Sequence, residues 1–431
     1  SASDRRAELE LRERVRRLQL SLVETDDDGI PAYPERAMHR FSQELLRAEK
    51  EYQAFLDDHA SVHAAADAVP DASSIQRRLA ADQAVLEYVV GPDSLVVFVV
   101  TARGIVVKSS PLRESDLVAR IELLRDLIQR PGDERWQKPA ARLSAELIDP
   151  LEREGWLGGV NRLYIVPHGA LTYVPFALLP RPATGRGGLL IDRYTVAYLP
   201  SAAALLRDSS GPDTERSLLA VAPSRGGLRH APEEARAIHA LFQPNARTLI
   251  GGEATESHFK QLAGDFRVLH LATHGYFNQA SPLLSGLELE ADRHDDGMLR
   301  VHEILDLPLH ADLVTLSACD TALGSGYFAA LPVGDEFVSL NRAFLAAGSA
   351  SVMATLWQVD DRASVSLMKL FYGRLSEAGD DRNAAGALAS AQRAMRRSPQ
   401  LAHPYYWAAY VVVGQNDEKA RAARQFSGRT S

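Results

Sequence analysis

The pattern of apolar and polar positions changes once along this chain, near residue 70. Before that point apolar residues recur at helical spacing among many arginines and glutamates, over residues 9–20 and again over residues 41–55. This spacing predicts two amphipathic helices, and the turn-rich segment 26–31 between them predicts a helical hairpin. Such a hairpin either covers an apolar face of the rest of the protein or forms the last unit of a helical repeat array.

After residue 70, short apolar runs alternate with turns and with segments of helical spacing. Strands are expected at residues 85–90, 94–100, 104–108, 162–169, 195–199, 217–222, 247–250, 266–275, 286–290, 313–320, 351–357 and 407–413. Helices are expected at residues 115–129, 133–154, 201–207, 232–242, 256–262, 301–305, 336–347, 363–376 and 384–396. Continuous apolar strands that alternate with helices predict an α/β fold, a parallel-rich sheet with helices on both faces.

Composition narrows the class of protein. Of the 431 residues, 46% are hydrophobic and 24% are charged, which is typical of a globular chain. The net charge of −8 gives no electrostatic support for coating nucleic acid. No apolar run approaches the roughly 20 residues that span a bilayer, so we expect no membrane association. A single cysteine excludes an intrachain disulfide and favours a reducing, cytoplasmic location.

Two of the expected strands end in residues that support nucleophilic chemistry. Cys319 lies at the end of strand 313–320, and strand 266–275 ends in His274 and Gly275. Because the carboxyl ends of parallel strands share one sheet edge, we expect the thiol and the imidazole to face each other across a cleft. The N–H groups of Gly275 and Cys319 then form an oxyanion hole. The alternative is structural, because a lone buried cysteine is usually a small core side chain.

Two further histidines call for a structural interpretation. His270 lies four residues before His274 on the same expected strand, and we assign it to the core or to support of the site. His168 and Gly169 repeat the His-Gly ending on strand 162–169, but the chain has no second cysteine to serve them. We therefore expect that region to be catalytically silent.

Four ordered segments resemble the CHAT domain family, whose members are caspase-like proteases, often attached to tetratricopeptide (TPR) helices and related to separases. They read LHLATHG at 269–275, LSACDT at 316–321, RAFLAAG at 342–348 and ATLWQVDD at 354–361. LYIVPHG at 163–169 and PFALLP at 175–180 are similar to the first half of the family's domain. The resemblance extends over residues 79–414 and implies a caspase-like sheet in which His274 is the base and Cys319 the nucleophile of a peptidase.

With this resemblance the chain divides into four parts. Residues 1–78 form an N-terminal helical segment, a possible remnant of a TPR array, and residues 79–254 form a silent first half of the CHAT domain. Residues 255–415 form its catalytic second half, and residues 416–431 form a polar tail.

Three aspartates are candidates for substrate binding. Similarity to separases implies that an acid after strand 351–357 holds a basic substrate side chain; Asp361 matches that acid, with Asp360 beside it, whereas Gln358 departs from the separase pattern. Capping of the next helix is the alternative for both. Asp320 either orients the catalytic pair or caps a turn.

The sequence therefore predicts a cysteine endopeptidase that needs no metal or organic cofactor. Its expected partners are a protein or peptide substrate and a regulatory protein that acts through the N-terminal helices, with no direct binding of nucleic acid. A catalytically silent signalling or scaffold module with the same fold is the main alternative. Nucleotide binding is disfavoured, because no P-loop or dinucleotide glycine fingerprint follows any strand.

Overall fold

A computed structural model describes residues 10–11, 14–15, 17–18, 34–59, 71–181, 188–207, 217–224, 228–276, 282–317, 335–377 and 383–415. The expectations for Cys319, Asp320 and the tail 416–431 lie outside these residues.

Eleven helices and fourteen strands are named here, among the residues described. The strands are β1 Gln83–Val90, β2 Leu95–Thr101, β3 Gly104–Ser110, β4 Arg162–Val166, β5 Thr195–Tyr198, β6 Leu218–Ala222, β7 Ala246–Ile250, β8 Val268–Leu271, β9 Gly275–Tyr276, β10 Gly286–Glu288, β11 Met298–Arg300, β12 Leu313–Leu316, β13 Ser351–Thr355 and β14 Tyr410–Gly414. The helices are α1 Glu35–His59, α2 Ala72–Arg78, α3 Glu114–Ile128, α4 Gln137–Leu147, α5 Asp149–Arg153, α6 Ala231–Leu241, α7 Glu256–Leu262, α8 Val301–Leu305, α9 Asp335–Ala346, α10 Asp361–Glu377 and α11 Ala384–Arg397.

One large sheet of eleven strands organises the fold, in the order β3-β2-β1-β4-β5-β14-β13-β12-β8-β6-β7. Strands β1, β4, β5 and β14 are parallel to one another and form what we call the first block. Strands β13, β12, β8, β6 and β7 are also mutually parallel and form the second block. Because β13 and β14 pair antiparallel, the two blocks run in opposite directions and their carboxyl ends lie at opposite edges of the sheet.

Helices cover both faces of this sheet. Helix α10 packs against both α6 and α11, which places these three in one layer. Helices α8 and α9 pack against each other in a second group. In a right-handed crossover, the direction of the step between the two strands decides on which face of the sheet the helix lies. The steps from β6 to β7 and from β12 to β13 run in opposite directions, so their helices α6 and α9 lie on opposite faces. Strands β6, β13 and β14 are buried at every position, as two covered faces require, and the predicted α/β class is confirmed.

Several expected boundaries were wrong, and two of them matter for the site. The strand predicted at 266–275 ends at Leu271, and the strand predicted at 313–320 ends at Leu316. The chain leaves the large sheet after the Ala272 N–H donates to the Val221 carbonyl. Gly275 then begins a separate three-stranded sheet, ordered β11-β10-β9. His274 therefore lies in the connection between two sheets rather than on a strand.

The N-terminal helix α1 packs against the turn before β10 and against α8, in part through a small cluster of its own. Ala48 and Tyr52 of this helix are buried against Val15 and Leu284. The Tyr52 hydroxyl lies 2.9 Å from Nε2 of His302, at the start of α8. Among the described residues, no helix combines the length and apolar character that crossing a membrane needs.

Candidate active site

The segments that lead to His274 and Cys319 leave the sheet side by side. Strand β8 lies between β6 and β12 and is parallel to both, with Leu271 opposite Leu316. One residue further, the Ser317 N–H donates to the Leu271 carbonyl over 2.9 Å. His274 follows Leu271 by three residues, just as Cys319 follows Leu316 by three. Ser317 is the last described residue before Cys319 and Asp320.

The backbone around His274 is held by strand β10. The Glu288 N–H donates to the His274 carbonyl over 2.9 Å, and the Thr273 hydroxyl donates to the Glu288 carbonyl. Gly275 stands opposite Leu287 in an antiparallel pair. The bond from the Glu288 N–H to the His274 carbonyl lies beside this pair, so Gly275 and Leu287 form a non-hydrogen-bonded pair. The Gly275 N–H therefore points away from β10. The His274 side chain is half-buried.

A chain of buried polar side chains lies beneath the ends of β8 and β12. Nε2 of His270 lies 2.9 Å from a carboxylate oxygen of Glu234 on α6, and its Nδ1 lies 3.2 Å from the Tyr372 hydroxyl on α10. That hydroxyl donates to Thr315 Oγ1 on β12 over 2.7 Å. His270 and Thr315 are fully buried, and Glu234 is 2% exposed. Burial raises the pKa of the Tyr372 hydroxyl far above its usual value, so it remains a donor.

Asp360 and Asp361 both lie where β13 leads into α10, and each carboxylate has a backbone partner. Asp360 Oδ1 accepts the Ala363 N–H over 2.8 Å, which is an N-cap. Asp361 Oδ2 accepts the His230 N–H over 2.9 Å and so ties the start of α10 to the start of α6. Both lie at the carboxyl edge of the second block, which is also the edge where the chain leaves β8 towards His274.

His168 follows β4, a strand of the first block, and therefore lies at the opposite edge of the sheet. Its Nδ1 accepts the Val90 N–H over 3.3 Å. Gly169, next in the chain, begins a 3-10 turn with a φ of 57°, a left-handed conformation that favours glycine. The two His-Gly pairs of the sequence are therefore on opposite edges and in different local structures.

One cluster of acids among the described residues has the spacing of a cation site. Carboxylate oxygens of Glu256, Asp295 and Glu303 lie within 4.8 Å of one another. The Lys260 ammonium already lies 2.6 Å from Glu256, 3.0 Å from Asp295 and 2.6 Å from Glu303. Burial disfavours the charged form of Lys260, but the Glu303 and Glu256 carboxylates outweigh it and raise its pKa. The lysine supplies the positive charge that these acids need.

Sequence reasoning missed the polar chain from Glu234 to Thr315. His270 was expected in the core, and it is there, but nothing in the sequence links it to a glutamate 36 residues earlier or to a tyrosine 102 residues later. Glu234 has the spacing of an ordinary polar position in an amphipathic helix. Only the packing of α6 and α10 on the same sheet face brings these side chains together.

Comparison with known proteins gives a family and several more distant relatives. The family model described as "CHAT domain" matches residues 137–415. Tetratricopeptide repeat protein 28 of Mus musculus is 26% identical over 336 residues, and the human protein is 25% identical over 336 residues. Each match covers 64% of this chain and 13% of the relative, so the chain spans only a small part of these proteins.

Two solved structures are similar at lower identity. The Arg-specific cysteine proteinase gingipain R is 11% identical with a TM-score of 0.43, and the match covers 70% of this chain and 75% of the other. The Saccharomyces cerevisiae separase–securin complex is 14% identical with a TM-score of 0.41, covering 94% of this chain and 27% of the other.

Proposed function

Since the chain belongs to the CHAT domain family, we propose that it is a cysteine endopeptidase with Cys319 as nucleophile and His274 as general base. The observation that carries the proposal is the pairing of β8 with β12, in which Leu271 stands opposite Leu316. His274 and Cys319 each follow these residues by three positions. We expect the thiol near the carboxyl edge of the second block, because Cys319 is two residues beyond Ser317 and two residues of chain span at most about 7 Å.

The chemistry follows from these two side chains. The His274 imidazole takes the proton of the Cys319 thiol, and the thiolate attacks the scissile carbonyl carbon. The resulting oxyanion needs hydrogen-bond donors, and the Gly275 N–H, which the β9–β10 pairing leaves unused, is one candidate; the Cys319 N–H is the other. His274 then gives its proton to the leaving amine, and water hydrolyses the thioester to release the acid and the free thiol.

A preference for arginine or lysine before the scissile bond is the finer part of the proposal. Asp361 lies at the carboxyl edge of the second block, and one of its oxygens is free of the bond to the His230 N–H. A carboxylate there offers a charge-assisted contact to a guanidinium. Asp360 serves as the matched control, because its carboxylate caps α10. Asp361→Ala should reduce cleavage after arginine far more than Asp360→Ala does.

We also propose that a protein partner regulates the site through the N-terminal helices. Helix α1 buries Tyr52 against Leu284, two residues before β10 begins at Gly286, and bonds His302 at the start of α8. Strand β10 in turn holds the backbone of His274. A partner that shifts α1 therefore acts on the strand that supports the base.

A silent scaffold module is the second candidate. It is favoured by the relatives that match the chain, whose names describe tetratricopeptide repeats and no peptidase activity. The two candidates predict different reactivity of the only cysteine. In a peptidase, His274→Ala slows alkylation of Cys319 near neutral pH, whereas in a scaffold the rate stays the same.

Cleavage itself is tested with a diverse peptide library. Wild-type protein and Cys319→Ala are each incubated with the library, and new termini are identified by mass spectrometry. We expect cleavage by the wild type, none by Cys319→Ala, and arginine or lysine before the cut. Cleavage that persists in purified Cys319→Ala would refute the assignment of the nucleophile. Leucine, methionine or alanine before the cut would refute only the role of Asp361.

A further inference from the structure

The polar chain formed by Glu234, His270, Tyr372 and Thr315 is unusual because of where it lies in the protein. It is enclosed in an otherwise apolar core, and it joins two helices to two strands. His270 lies on β8, Thr315 on β12, Glu234 on α6 and Tyr372 on α10. The Tyr372 ring also stands edge-on to the His270 ring, with centroids 5.5 Å apart and an interplanar angle of 78°. Such a network is costly unless every member is paired.

The proton count shows that every member is paired. Tyr372 has one hydroxyl proton, which it donates to Thr315 Oγ1. Its oxygen therefore accepts a hydrogen bond from Nδ1–H of His270 at 3.2 Å. Nε2 of His270 and a carboxyl oxygen of Glu234 lie 2.9 Å apart and form a second hydrogen bond. Loss of any one member leaves a buried donor or acceptor without its partner, which costs about 1–3 kcal/mol for a neutral group.

The polar chain is placed symmetrically with respect to the proposed dyad of His274 and Cys319. His270 and Thr315 stand directly opposite each other in the β8–β12 pairing. His274 lies four residues after His270, and Cys319 lies four residues after Thr315. His270 therefore anchors β8 to α6 and α10, and Thr315 anchors β12 to α10, each four residues before the reactive residue. Because both anchors lie one residue before the end of their strand, a tilt at the anchor shifts the point at which the chain leaves the sheet.

The anchoring helices are themselves fixed to each other. The Asp361 carboxylate accepts the His230 N–H, and the Lys369 ammonium lies 3.0 Å from a carboxylate oxygen of Glu233. Both contacts join α10 to the start of α6, and Glu233 is next to Glu234 in the chain. The backbone ladder sets the register of β8 and β12, and the side-chain network adds a rigid support against which both strands rest.

We infer that Glu234, His270, Tyr372 and Thr315 are positioning residues that hold the strands leading to His274 and Cys319 at one fixed separation. The inference rests on the proposed Cys319–His274 dyad. None of the four touches a reacting atom; each acts through the strand or helix that carries it. A misplacement of about 1 Å in a catalytic pair can cost roughly 100-fold in rate, so a support of this kind has a measurable effect.

The test uses the only cysteine of the chain as its own reporter. The rate of alkylation of Cys319 by iodoacetamide is measured from about pH 5 to pH 10, and the midpoint of the profile gives the apparent pKa of the thiol. Tyr372→Phe removes the hydroxyl at the centre of the network. Tyr410→Phe is the matched control, because that buried hydroxyl donates to Ser364 Oγ on the same helix over 2.8 Å, and Tyr410 lies on β14, which pairs with β5 and β13 rather than with β8 or β12.

We expect Tyr372→Phe to slow alkylation at pH 7 about three- to tenfold and to move the midpoint towards that of His274→Ala. Tyr410→Phe should remain within about twofold of the wild type. A Tyr372→Phe profile equal to the wild type, beside a shifted His274→Ala profile, would overturn the inference and leave the dyad intact. Equal shifts in both tyrosine variants would also overturn it, because they indicate general loosening. An unshifted His274→Ala profile would overturn the dyad and the inference together.

A second pair of variants covers the case in which Tyr372→Phe does not fold. Thr315→Val keeps the shape of the side chain and removes the hydroxyl, whereas Thr315→Ser keeps the hydroxyl and removes a methyl group. We expect the valine variant to show the slowed, shifted profile and the serine variant to restore most of the wild-type profile. The reverse order, or equal profiles, would contradict a positioning role for the hydroxyl.

Discussion

In each block of the sheet, one strand is followed by a His-Gly pair. The residues around these two strands differ. Four residues before His274 lies His270, bonded to Glu234 and Tyr372. Four residues before His168 lies Tyr164, which stands between the apolar residues Val85 and Ala197 of the neighbouring strands. The same dipeptide therefore follows a strand with a buried polar network in one block and a strand with apolar neighbours in the other.

The neighbouring strands sharpen this contrast. In the second block, Leu271 stands opposite Leu316, and counting three residues onward pairs His274 with Cys319. In the first block, Ile165 stands opposite Tyr198, and the same count pairs His168 with Ser201. A serine hydroxyl is a far weaker nucleophile than a thiol, and Nδ1 of His168 already accepts the Val90 N–H. We therefore expect the repeated motif to carry chemistry only where the neighbouring strand leads to a reactive group.

The largest expected effect separates the two histidines. His274→Ala should lower the rate of peptide cleavage by about 10²–10⁴-fold, because general base catalysis is lost. His168→Ala, measured on the same peptide, should remain within about twofold of the wild type. A comparable loss in both variants would show that the first block takes part in the reaction, and the contrast between the blocks would fail.

The next effect concerns the buried arginines of the two blocks. Arg267, in the second block, makes two hydrogen bonds to the Asp312 carboxylate, at 2.5 and 3.0 Å. Arg125 lies on helix α3, between strands β3 and β4 in the chain, and its guanidinium is 4.7 Å from the Tyr173 ring centroid. Its Nη1 has no hydrogen-bond partner among the described residues. Burial lowers the pKa of the Arg125 guanidinium to about 10, so its charged form costs stability at neutral pH.

Asp312→Ala should therefore lower the free energy of unfolding by about 3–5 kcal/mol, because it leaves the Arg267 charge buried and unpaired. Arg125→Met should leave that free energy unchanged or raise it by about 1–3 kcal/mol, because methionine fills the space without a buried charge. Urea denaturation at pH 7 measures both variants. A strong loss of stability in Arg125→Met would indicate a partner for its guanidinium and remove the difference between the blocks.

The smallest effect concerns a carboxylate of the first block. Glu87 on β1 is half-buried, and burial raises its pKa above the usual value of 4.5. The folded state therefore binds the proton more tightly than the unfolded chain, and the ionised form costs stability once the pH exceeds the unfolded pKa. Glu87→Gln should raise the free energy of unfolding by less than about 1 kcal/mol at pH 7 and should have no effect near pH 4, where the carboxyl group is protonated.

Thermal unfolding at the two pH values checks this expectation. Glu234→Ala in the second block provides the contrast, because that carboxyl group is paired with His270 and its removal should destabilise the protein. A Glu87→Gln variant that is less stable than the wild type at pH 7 would mean that a partner stabilises the ionised form of Glu87.

The sequence predicted the elements better than their arrangement. Strands such as β6 and β13 are continuous apolar runs, and such runs are recognisable because both faces are covered. The exit of the chain after Leu271 was not predicted, because it involves the hydrogen bond from the Thr273 hydroxyl to the carbonyl of Glu288, 15 residues later in the chain. The opposite directions of the two blocks were missed as well, since strand direction depends on pairing between distant segments.

The candidate site divides in the same way. His274 and Cys319 could be proposed from residue type, from the ends of the expected strands and from the resemblance to CHAT domains, and their pairing remains a prediction. The bond from Asp361 to the His230 N–H could not be foreseen, because it joins residues 131 positions apart. Contacts of this kind are set by the packing of α6 against α10, and no local pattern in either helix encodes the partner.

Strand β14 is the last described strand in the chain, yet it occupies the middle of the large sheet, between β5 and β13. During synthesis the two blocks therefore have no shared strand until residues 410–414 have left the ribosome. A growing chain that already contains His274 and Cys319 still has two open sheet edges where its centre will form. The large sheet therefore cannot close around its centre before synthesis has passed residue 414, and any activity of the proposed site that needs the completed sheet begins only after that point.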